Sequence, residues 1–144
     1  MFSKISIALL AASASAAVLP RDATWEWDVD NFSSVCTAAT CYYSFNVSAP
    51  AGPNGEPSFD ANFCYGNSVQ DYKSCGQVGL NVPGDVQTKE INLGRDVGAT
   101  VLVQYTFTQG EVRYTYTGNR TVEHTGLEAG AIFTITPSEV SAVA

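Results

Sequence analysis

Apolar and polar residues alternate along most of the chain with a period of two. The first run combines two Trp and one Val with three acidic side chains, in the order Trp25, Glu26, Trp27, Asp28, Val29 and Asp30. Successive side chains of a β-strand point to opposite faces of a sheet, so this pattern predicts a half-buried strand. The same period recurs in eight later segments: 43–48, 59–63, 78–82, 86–93, 101–108, 112–117, 121–124 and 131–136.

Two of these segments form the clearest pair. The segments 101–108 and 112–117 are separated by a short turn that contains Gly110, and this spacing predicts a β-hairpin. In the segment 59–63, alternation places Phe63 on the buried side together with Phe59 and Ala61. No strand is predicted after residue 136, where the chain ends in an Ala-rich tail.

Apolar residues at helical spacing are nearly absent after the N-terminal region. Only Val69, Tyr72 and Cys75 suggest a single helical turn. Short strands at close spacing, without a linker or an internal repeat, predict an all-β fold. We expect a single compact antiparallel β-barrel or sandwich of eight or nine strands. Closure is favoured because open strand edges invite pairing between chains.

The N-terminus has the pattern of a secretory signal peptide. Lys4 precedes an apolar run, which is followed by small residues that end at Ala17. Cleavage is predicted after Ala16, with Ala17 as an equally acceptable last residue. Residues 1–16 are therefore assigned to the signal peptide and 17–144 to a single β-domain, and the protein is expected to be secreted. A short N-terminal core helix is the alternative.

Secretion places the four Cys in an oxidising compartment, where two disulfides can form with three connectivities. Four residues separate Cys36 from Cys41, ten separate Cys64 from Cys75, and a complete predicted strand lies between the two pairs. This spacing predicts two local disulfides that pin turns and contribute roughly 2 and 3 kcal/mol. A zinc site is the weaker alternative, because neither pair has the two-residue spacing of zinc ligands and His124 is distant along the chain. No metal or other cofactor is expected.

Composition and charge exclude several classes of function. The chain has 144 residues, of which 45% are hydrophobic, and this corresponds to one globular domain. Seven basic and 14 acidic residues give a net charge of −7, and loss of Lys4 with the signal peptide makes it −8. Binding to nucleic acid or to an anionic membrane needs clustered positive charge. Neither nucleic-acid binding nor membrane insertion is therefore expected.

The candidate catalytic side chains do not form a recognisable set. No Gly-x-Ser-x-Gly elbow accompanies His124, which is expected to face solvent near a strand end. Glu26, Asp28 and Asp30 lie side by side on one strand face, whereas glycoside hydrolysis needs two carboxylates on facing walls of a cleft. Assigning the four Cys to disulfides leaves no thiol nucleophile. The sequence indicates a protein without enzyme activity, and a small secreted hydrolase that uses His124, Glu26 or Asp28 is the disfavoured alternative.

Two features suit binding at the surface. Tyr105, Tyr114 and Tyr116 lie on the paired strands of the predicted hairpin and are candidates for an aromatic platform. The alternative is that they form core-facing cross-strand pairs. Three Asn-x-Ser/Thr sequons are candidate sites of N-glycosylation: Asn31, Asn46 and Asn119.

Several short motifs follow one another along the mature chain. They are Trp25-x-Trp27-x-Val29-x-x-Phe32, Cys36-x4-Cys41-Tyr42-Tyr43-Ser44-Phe45-Asn46-Val47, Phe63-Cys64 and Tyr72-Lys73-Ser74-Cys75-Gly76. In these motifs the chain resembles the fungal secreted family named for the major Alternaria allergen, which includes proteins that trigger a hypersensitive response in plants. The short spacing of Cys36 and Cys41 is more similar to this elicitor branch than to the allergen itself.

The resemblance implies a compact β-fold with two local disulfides, export from a filamentous fungus and recognition by a plant cell-surface or apoplastic protein. It implies no established enzyme activity. The additional Cys residues of the allergen, one of which links its dimer, have no counterpart before Cys36 or after Cys75, so a monomer is expected. The leading hypothesis is a secreted elicitor or effector. The alternative is a secreted β-barrel that binds a small phenolic or lipid ligand.

Overall fold

The computed structural model describes the backbone of residues 15–18 and all atoms of residues 24–126 and 130–144. Most of the predicted signal peptide lies outside these ranges. Within them, no helix has the length and apolar character needed to cross a membrane. The strands are Ser15–Val18 (β1), Trp27–Cys36 (β2), Cys41–Ala49 (β3), Phe59–Asn67 (β4), Lys73–Ser74 (β5), Gln77–Val78 (β6), Gly84–Gly94 (β7), Gly98–Gln109 (β8), Val112–Val122 (β9), Ala131–Ile135 (β10) and Pro137–Val143 (β11).

The strands pair in antiparallel fashion and form two sheets. The six-stranded sheet has the order β1-β11-β9-β8-β7-β5, and the five-stranded sheet has the order β10-β2-β3-β4-β6. Apolar side chains of both sheets meet in one core, where the ring centroids of Phe59 and Tyr105 are 4.4 Å apart. The predicted all-β fold is confirmed, and its architecture is an antiparallel sandwich.

The structure has more strands than the eight or nine predicted, because β1, β5 and β11 were not expected; β5 has only two residues and is too short to show alternation. The predicted strand at 78–82 is wrong after Val78, since the following residues form a turn closed by a hydrogen bond from Val82 N to Gly79 O (3.1 Å). The predicted strand at 121–124 is the end of β9, which stops at Val122. The Ala-rich tail forms β11, which pairs with β9.

The predicted cleavage sites lie inside β1, which pairs with β11 at the edge of the six-stranded sheet. Cleavage after Ala16 would remove the first two of its four residues, and cleavage after Ala17 would remove three. The edge strand of the mature protein would then be β11. The other ten strands and the residues of the core lie after the predicted cleavage sites.

A bulge in β4 reverses the predicted orientation of Phe63. This residue has a φ of 56°, a left-handed conformation that bulky residues rarely adopt. Phe59 and Ala61 are buried as predicted, but Phe63 is 61% exposed, so its predicted burial is wrong. Cys64 takes its place in the core. A bulge inserts one extra residue into a strand and changes which side chains point inward.

Asn46 on β3 joins this bulge to a second one in β2. The second bulge contains Asn31, which has a φ of 53°. The Asn46 amide donates from Nδ2 to Asp30 Oδ1 (3.0 Å), and its Oδ1 accepts a hydrogen bond from Phe63 N (3.3 Å). One side chain therefore ties together three neighbouring strands at the points where their alternation changes.

Both predicted disulfides are confirmed. Cys36 and Cys41 are register partners, so their bond closes the β2–β3 hairpin. The Cys64–Cys75 bond has a wider role than the predicted pinning of a turn. Cys64 lies on β4 of the five-stranded sheet, whereas Cys75 N donates to Val86 O on β7 of the six-stranded sheet (2.9 Å). This disulfide consequently links the two sheets.

Candidate functional site

The predicted aromatic platform is wrong for two of its three residues. Tyr105 and Tyr116 are buried and face each other across the β8–β9 pair, as the core-facing alternative requires. Burial raises the pKa of the Tyr105 hydroxyl to about 12. Tyr114 is half-buried, and its ring stacks on that of Phe107 with centroids 5.6 Å apart. The predicted hairpin is confirmed, but Tyr105 and Tyr116 face inward rather than towards solvent.

A different set of aromatic residues covers the outer face of the five-stranded sheet. Tyr42, Phe63 and Tyr65 are 51%, 61% and 50% exposed, and we call them the aromatic patch. They lie on the neighbouring strands β3 and β4, where Tyr65 is the register partner of Ser44. The Lys73 ammonium lies 3.9 Å from the centroid of the Tyr65 ring. The sequence could not indicate Phe63, because its exposure depends on the bulge.

The acidic residues of the first predicted strand, at the start of β2, form a solvated face. Glu26, Asp28 and Asp30 are all exposed. The register partners of Asp28 are Ser48 and Thr134, and neither is acidic. These carboxylates therefore lack the facing partner that paired-carboxylate hydrolysis needs.

His124 is not simply solvent-facing, as predicted, but packs against β2. Its Nδ1 lies 2.7 Å from the buried Ser34 Oγ, and its Nε2 lies 3.5 Å from Cys36 Sγ of the first disulfide. The segment that carries it is held to the same strand, because Thr125 N donates to Ser34 O (3.1 Å) and Ser34 N donates to Thr125 Oγ1 (2.9 Å). Folding thus brings the residue next to a disulfide that is distant along the chain.

The hydrogen bonds around His124 form a chain that ends at a buried carboxyl group. Gly94 N donates to Asn92 Oδ1 (3.0 Å), so this oxygen is an acceptor and His124 Nε2 donates to it (3.2 Å). At the other end, the Ser34 hydroxyl donates to Glu90 Oε2 (2.9 Å) and accepts from His124 Nδ1. This arrangement connects the Glu90 carboxyl group to the His124 imidazole through the Ser34 hydroxyl. We call Glu90, Ser34 and His124 the Glu90 relay.

The two buried residues of the Glu90 relay, Ser34 and Glu90, are inaccessible to a substrate. Ser34 and Glu90 have no exposed surface, so the serine oxygen cannot act as a nucleophile on an external molecule. Burial raises the pKa of Glu90, although the Ser34 hydrogen bond and the positive charge of His124 both lower it. Cys36, Cys41 and His124 place possible ligand atoms within 4.8 Å of one another, but the two sulfurs are bonded to each other and offer no thiolate to a metal.

A second buried carboxyl group lies in the loop between β3 and β4. Glu56 is only 4% exposed, although it belongs to a Pro- and Gly-rich segment. Its Oε2 accepts a hydrogen bond from the Tyr116 hydroxyl (2.7 Å), and its Oε1 accepts one from Asn54 N (2.9 Å). Burial, this hydrogen bond and the negative charge of Glu56 raise the pKa of Tyr116. The loop closes on itself through a bond from Gly52 N to Glu56 O (2.9 Å).

Glu56 lines a cavity of about 340 Å³, which we call the Glu56 cavity. Three of its seven lining residues are aromatic: Phe107, Tyr114 and Tyr116. The rings of Phe107 and Tyr116 are nearly parallel, at 11°, with centroids 5.8 Å apart. Gln109 Nε2 donates to Gly55 O (2.9 Å) and so fastens the loop to the end of β8. Nothing in the local pattern around Glu56 predicts its burial, since its partner Tyr116 is 60 residues away.

The three sequons lie in different environments. Asn31 and Asn119 are exposed. Asn46 is half-buried, and both polar atoms of its amide are hydrogen-bonded within the sheet. The glycosylation of all three remains a prediction.

The two disulfides are consistent with an extracellular protein. The aromatic patch lies on the five-stranded sheet, whereas the Glu56 cavity lies against the β8–β9 hairpin of the six-stranded sheet. The molecule therefore has two separate candidate binding regions.

No protein-family model, no curated protein and no solved structure matches the chain.

Proposed function

We propose that the protein is a secreted fungal elicitor or effector, which acts by being bound by a plant cell-surface or apoplastic protein and catalyses no reaction. The N-terminal pattern, the Cys spacing and the resemblance of the motifs around them support this proposal. The observation that carries it is the aromatic patch of Tyr42, Phe63 and Tyr65 on the outer face of the five-stranded sheet.

Exposed aromatic residues on a rigid support suit recognition by a protein. Tyr and Phe are enriched at protein interfaces, where they bury a large area for few rotatable bonds. Tyr42 directly follows Cys41, and Phe63 and Tyr65 flank Cys64. The two disulfides therefore fix the backbone beneath the aromatic patch. Reduction should weaken recognition even where the sequence is unchanged.

Infiltration of purified protein into leaves tests the proposal. The wild-type protein is compared with a Tyr42→Ser, Phe63→Gly and Tyr65→Ser triple variant, and with reduced, alkylated protein. A triple variant of other exposed apolar residues, Ile91→Ser, Leu93→Ser and Val97→Ser, is the matched control. We expect wild type and control to elicit cell death or defence signalling and the patch variant to lose it. A wild-type protein without any response would overturn the elicitor role.

The second candidate function is binding of a small ligand, and the Glu56 cavity is the observation that favours it. A volume of about 340 Å³ lies in the range of small-molecule sites, which combine aromatic walls with a few polar groups. The carboxyl group of Glu56 and the amide of Gln109 make this lining more suitable for a phenolic compound than for a lipid chain, which has no polar group along its length.

Tryptophan fluorescence tests this second function. The Trp25 ring packs edge-on against Tyr116 with centroids 5.2 Å apart, so it lies one ring away from the cavity. A ligand that fills the cavity should change the Trp emission and saturate. A flat titration across a series of phenols, with unchanged thermal stability, would contradict it.

A further inference from the structure

We propose that the Glu56 cavity binds a small organic cation: an amine whose ammonium group pairs with Glu56 and whose aromatic ring lies against Tyr114. This inference rests on the second proposed function and adds the charge of the ligand. It is independent of the elicitor proposal, which concerns the other sheet.

The charge of Glu56 is not balanced within the fold. Both of its hydrogen-bond donors, the Tyr116 hydroxyl and Asn54 N, are neutral. Among the residues that the structure describes, the basic groups form no ion pair with Glu56; Lys89 pairs with Asp71 instead. A buried carboxylate is costly unless it is paired, and neutral hydrogen bonds compensate only part of that cost. An ammonium group in the cavity would supply the missing charge.

The carboxylate also has free hydrogen-bonding capacity. Its two oxygens offer about four acceptor positions, and the described contacts use two of them. An ammonium group has three donors and can therefore join Tyr116 and Asn54 without displacing either. Such charge-assisted hydrogen bonds are about twice as strong as neutral ones.

The aromatic wall favours the same ligand class. Ring faces carry partial negative charge and attract cations, and they also stack on other rings. Phe107 stacks on both Tyr114 and Tyr116, so three packed rings line the cavity together with the carboxylate. An anionic ligand would be repelled by Glu56. A neutral phenol could donate one hydrogen bond but would leave the buried charge unbalanced.

Three ligands of nearly equal size separate these possibilities: benzylamine, benzyl alcohol and benzoate. Their binding is measured by calorimetry and by Trp fluorescence on wild type, on Glu56→Gln and on Glu26→Gln, which removes an exposed carboxylate as the matched control. We expect benzylamine to bind wild type and Glu26→Gln with equal affinity. Its affinity for Glu56→Gln should be lower by a factor of about ten or more. Benzyl alcohol should bind weakly and benzoate should not bind.

A second variant, Tyr114→Leu, keeps the inference testable if Glu56→Gln does not fold. It removes a half-buried ring face and leaves the carboxylate in place, so benzylamine should bind it more weakly while thermal unfolding shows an intact fold. Equal affinity of wild type for benzylamine and benzyl alcohol would contradict the preference for a cation and would indicate a cavity for neutral ligands. Failure of all three compounds to bind at millimolar concentration would overturn the cavity as a site for a small aromatic ligand.

Discussion

Glu56 and Glu90 are both buried, but their surroundings differ in one respect. Glu90 lies inside the sandwich, and the Ser34 hydroxyl connects it to the imidazole of His124. Glu56 lies at the margin of the core, where its partners are the Tyr116 hydroxyl and a backbone N–H group. The first carboxyl group lies near the positive charge of His124, whereas both hydrogen-bond donors of the second are neutral.

This difference separates a structural group from a binding group. Burial alone does not indicate function, since both residues are almost inaccessible to solvent. A buried carboxylate with an internal counter-charge has little to gain from a ligand. One that lines a cavity without a counter-charge gains an ion pair when a cation binds. On this reasoning Glu90 stabilises the sandwich, and Glu56 is available to a ligand.

Removing the serine of the Glu90 relay should have the largest effect. Ser34→Ala leaves Glu90 Oε2 without its donor, and Glu90 Oε1 has no hydrogen-bond partner among the described residues. We expect the free energy of unfolding at neutral pH to fall by about 3 kcal/mol, as measured by denaturant unfolding. Ser44→Ala, on the exposed face of the next strand, is the control and should change it little. Equal effects of the two variants would show that the relay does not stabilise the fold.

Loss of the tyrosine hydroxyl beside Glu56 should have a smaller effect. Tyr116→Phe removes one hydrogen bond to a carboxylate that retains its bond from Asn54 N, so we expect a loss of about 2 kcal/mol in denaturant unfolding. The exposed Tyr42→Phe is the matched control. Because Glu56 and the ring of residue 116 both remain, benzylamine should still bind. Complete loss of binding would show that benzylamine binds through the Tyr116 hydroxyl rather than through Glu56.

The Glu90 relay should also make stability depend on pH. Burial raises the pKa of Glu90, so the folded protein holds this proton at pH values where the unfolded chain has lost it. The stabilising contribution of the protonated Glu90 is therefore complete below the pKa of about 4.3 that a Glu has in the unfolded chain. It is lost as the pH rises through the pKa of Glu90 in the folded protein. Each unit of elevation corresponds to about 1.4 kcal/mol.

Comparison of wild type with Glu90→Gln isolates this contribution, with Glu26→Gln as the exposed control. As the pH rises above about 4, the stability of wild type relative to Glu90→Gln should decline. A difference that stays constant or grows with pH would mean that Glu90 ionises more readily in the folded protein.

The smallest effect is expected at Asn92, which contacts His124 at the outer end of the Glu90 relay. Asn92→Ala removes an acceptor for His124 Nε2, but water can replace it because Asn92 is exposed. We expect a loss of about 0.5 kcal/mol in thermal or denaturant unfolding. Asn54→Ala should change stability even less, since Asn54 contacts Glu56 through its backbone N–H. A larger loss in Asn54→Ala would show that its side chain supports the loop.

Local alternation was sufficient to predict most of the sandwich. It predicted β2, β3, β8 and β9 because one face of each strand is apolar, and Cys spacing predicted both disulfides. Alternation failed at Phe63, where a single residue with positive φ reverses the strand face. Such a bulge depends on the neighbouring strand and on the amide of Asn46, and the sequence of β4 does not contain that information.

The candidate sites were harder to predict because their partners are distant along the chain. Glu90 is inward-facing by its parity with Val86 and Thr88, but its donor Ser34 is 56 residues away. The sequence predicts a solvent-facing His124 near a strand end, but in the structure its side chain contacts Ser34 of β2. Glu56 lies in a loop without any period. Only the packing of that loop on the β8–β9 hairpin explains its burial.

Carbon-13 NMR of labelled Glu carboxyl groups compares the two residues most directly. The resonances of Glu56 and Glu90 are assigned with the Glu56→Gln and Glu90→Gln variants, and benzylamine is then added to the wild-type protein. We predict that the Glu56 resonance shifts and saturates while the Glu90 resonance stays in place. A shift of the Glu90 resonance without a shift of Glu56, or no shift of either at high amine concentration, would contradict the account. In either case Glu56 would not be the buried carboxyl group that binds the ligand.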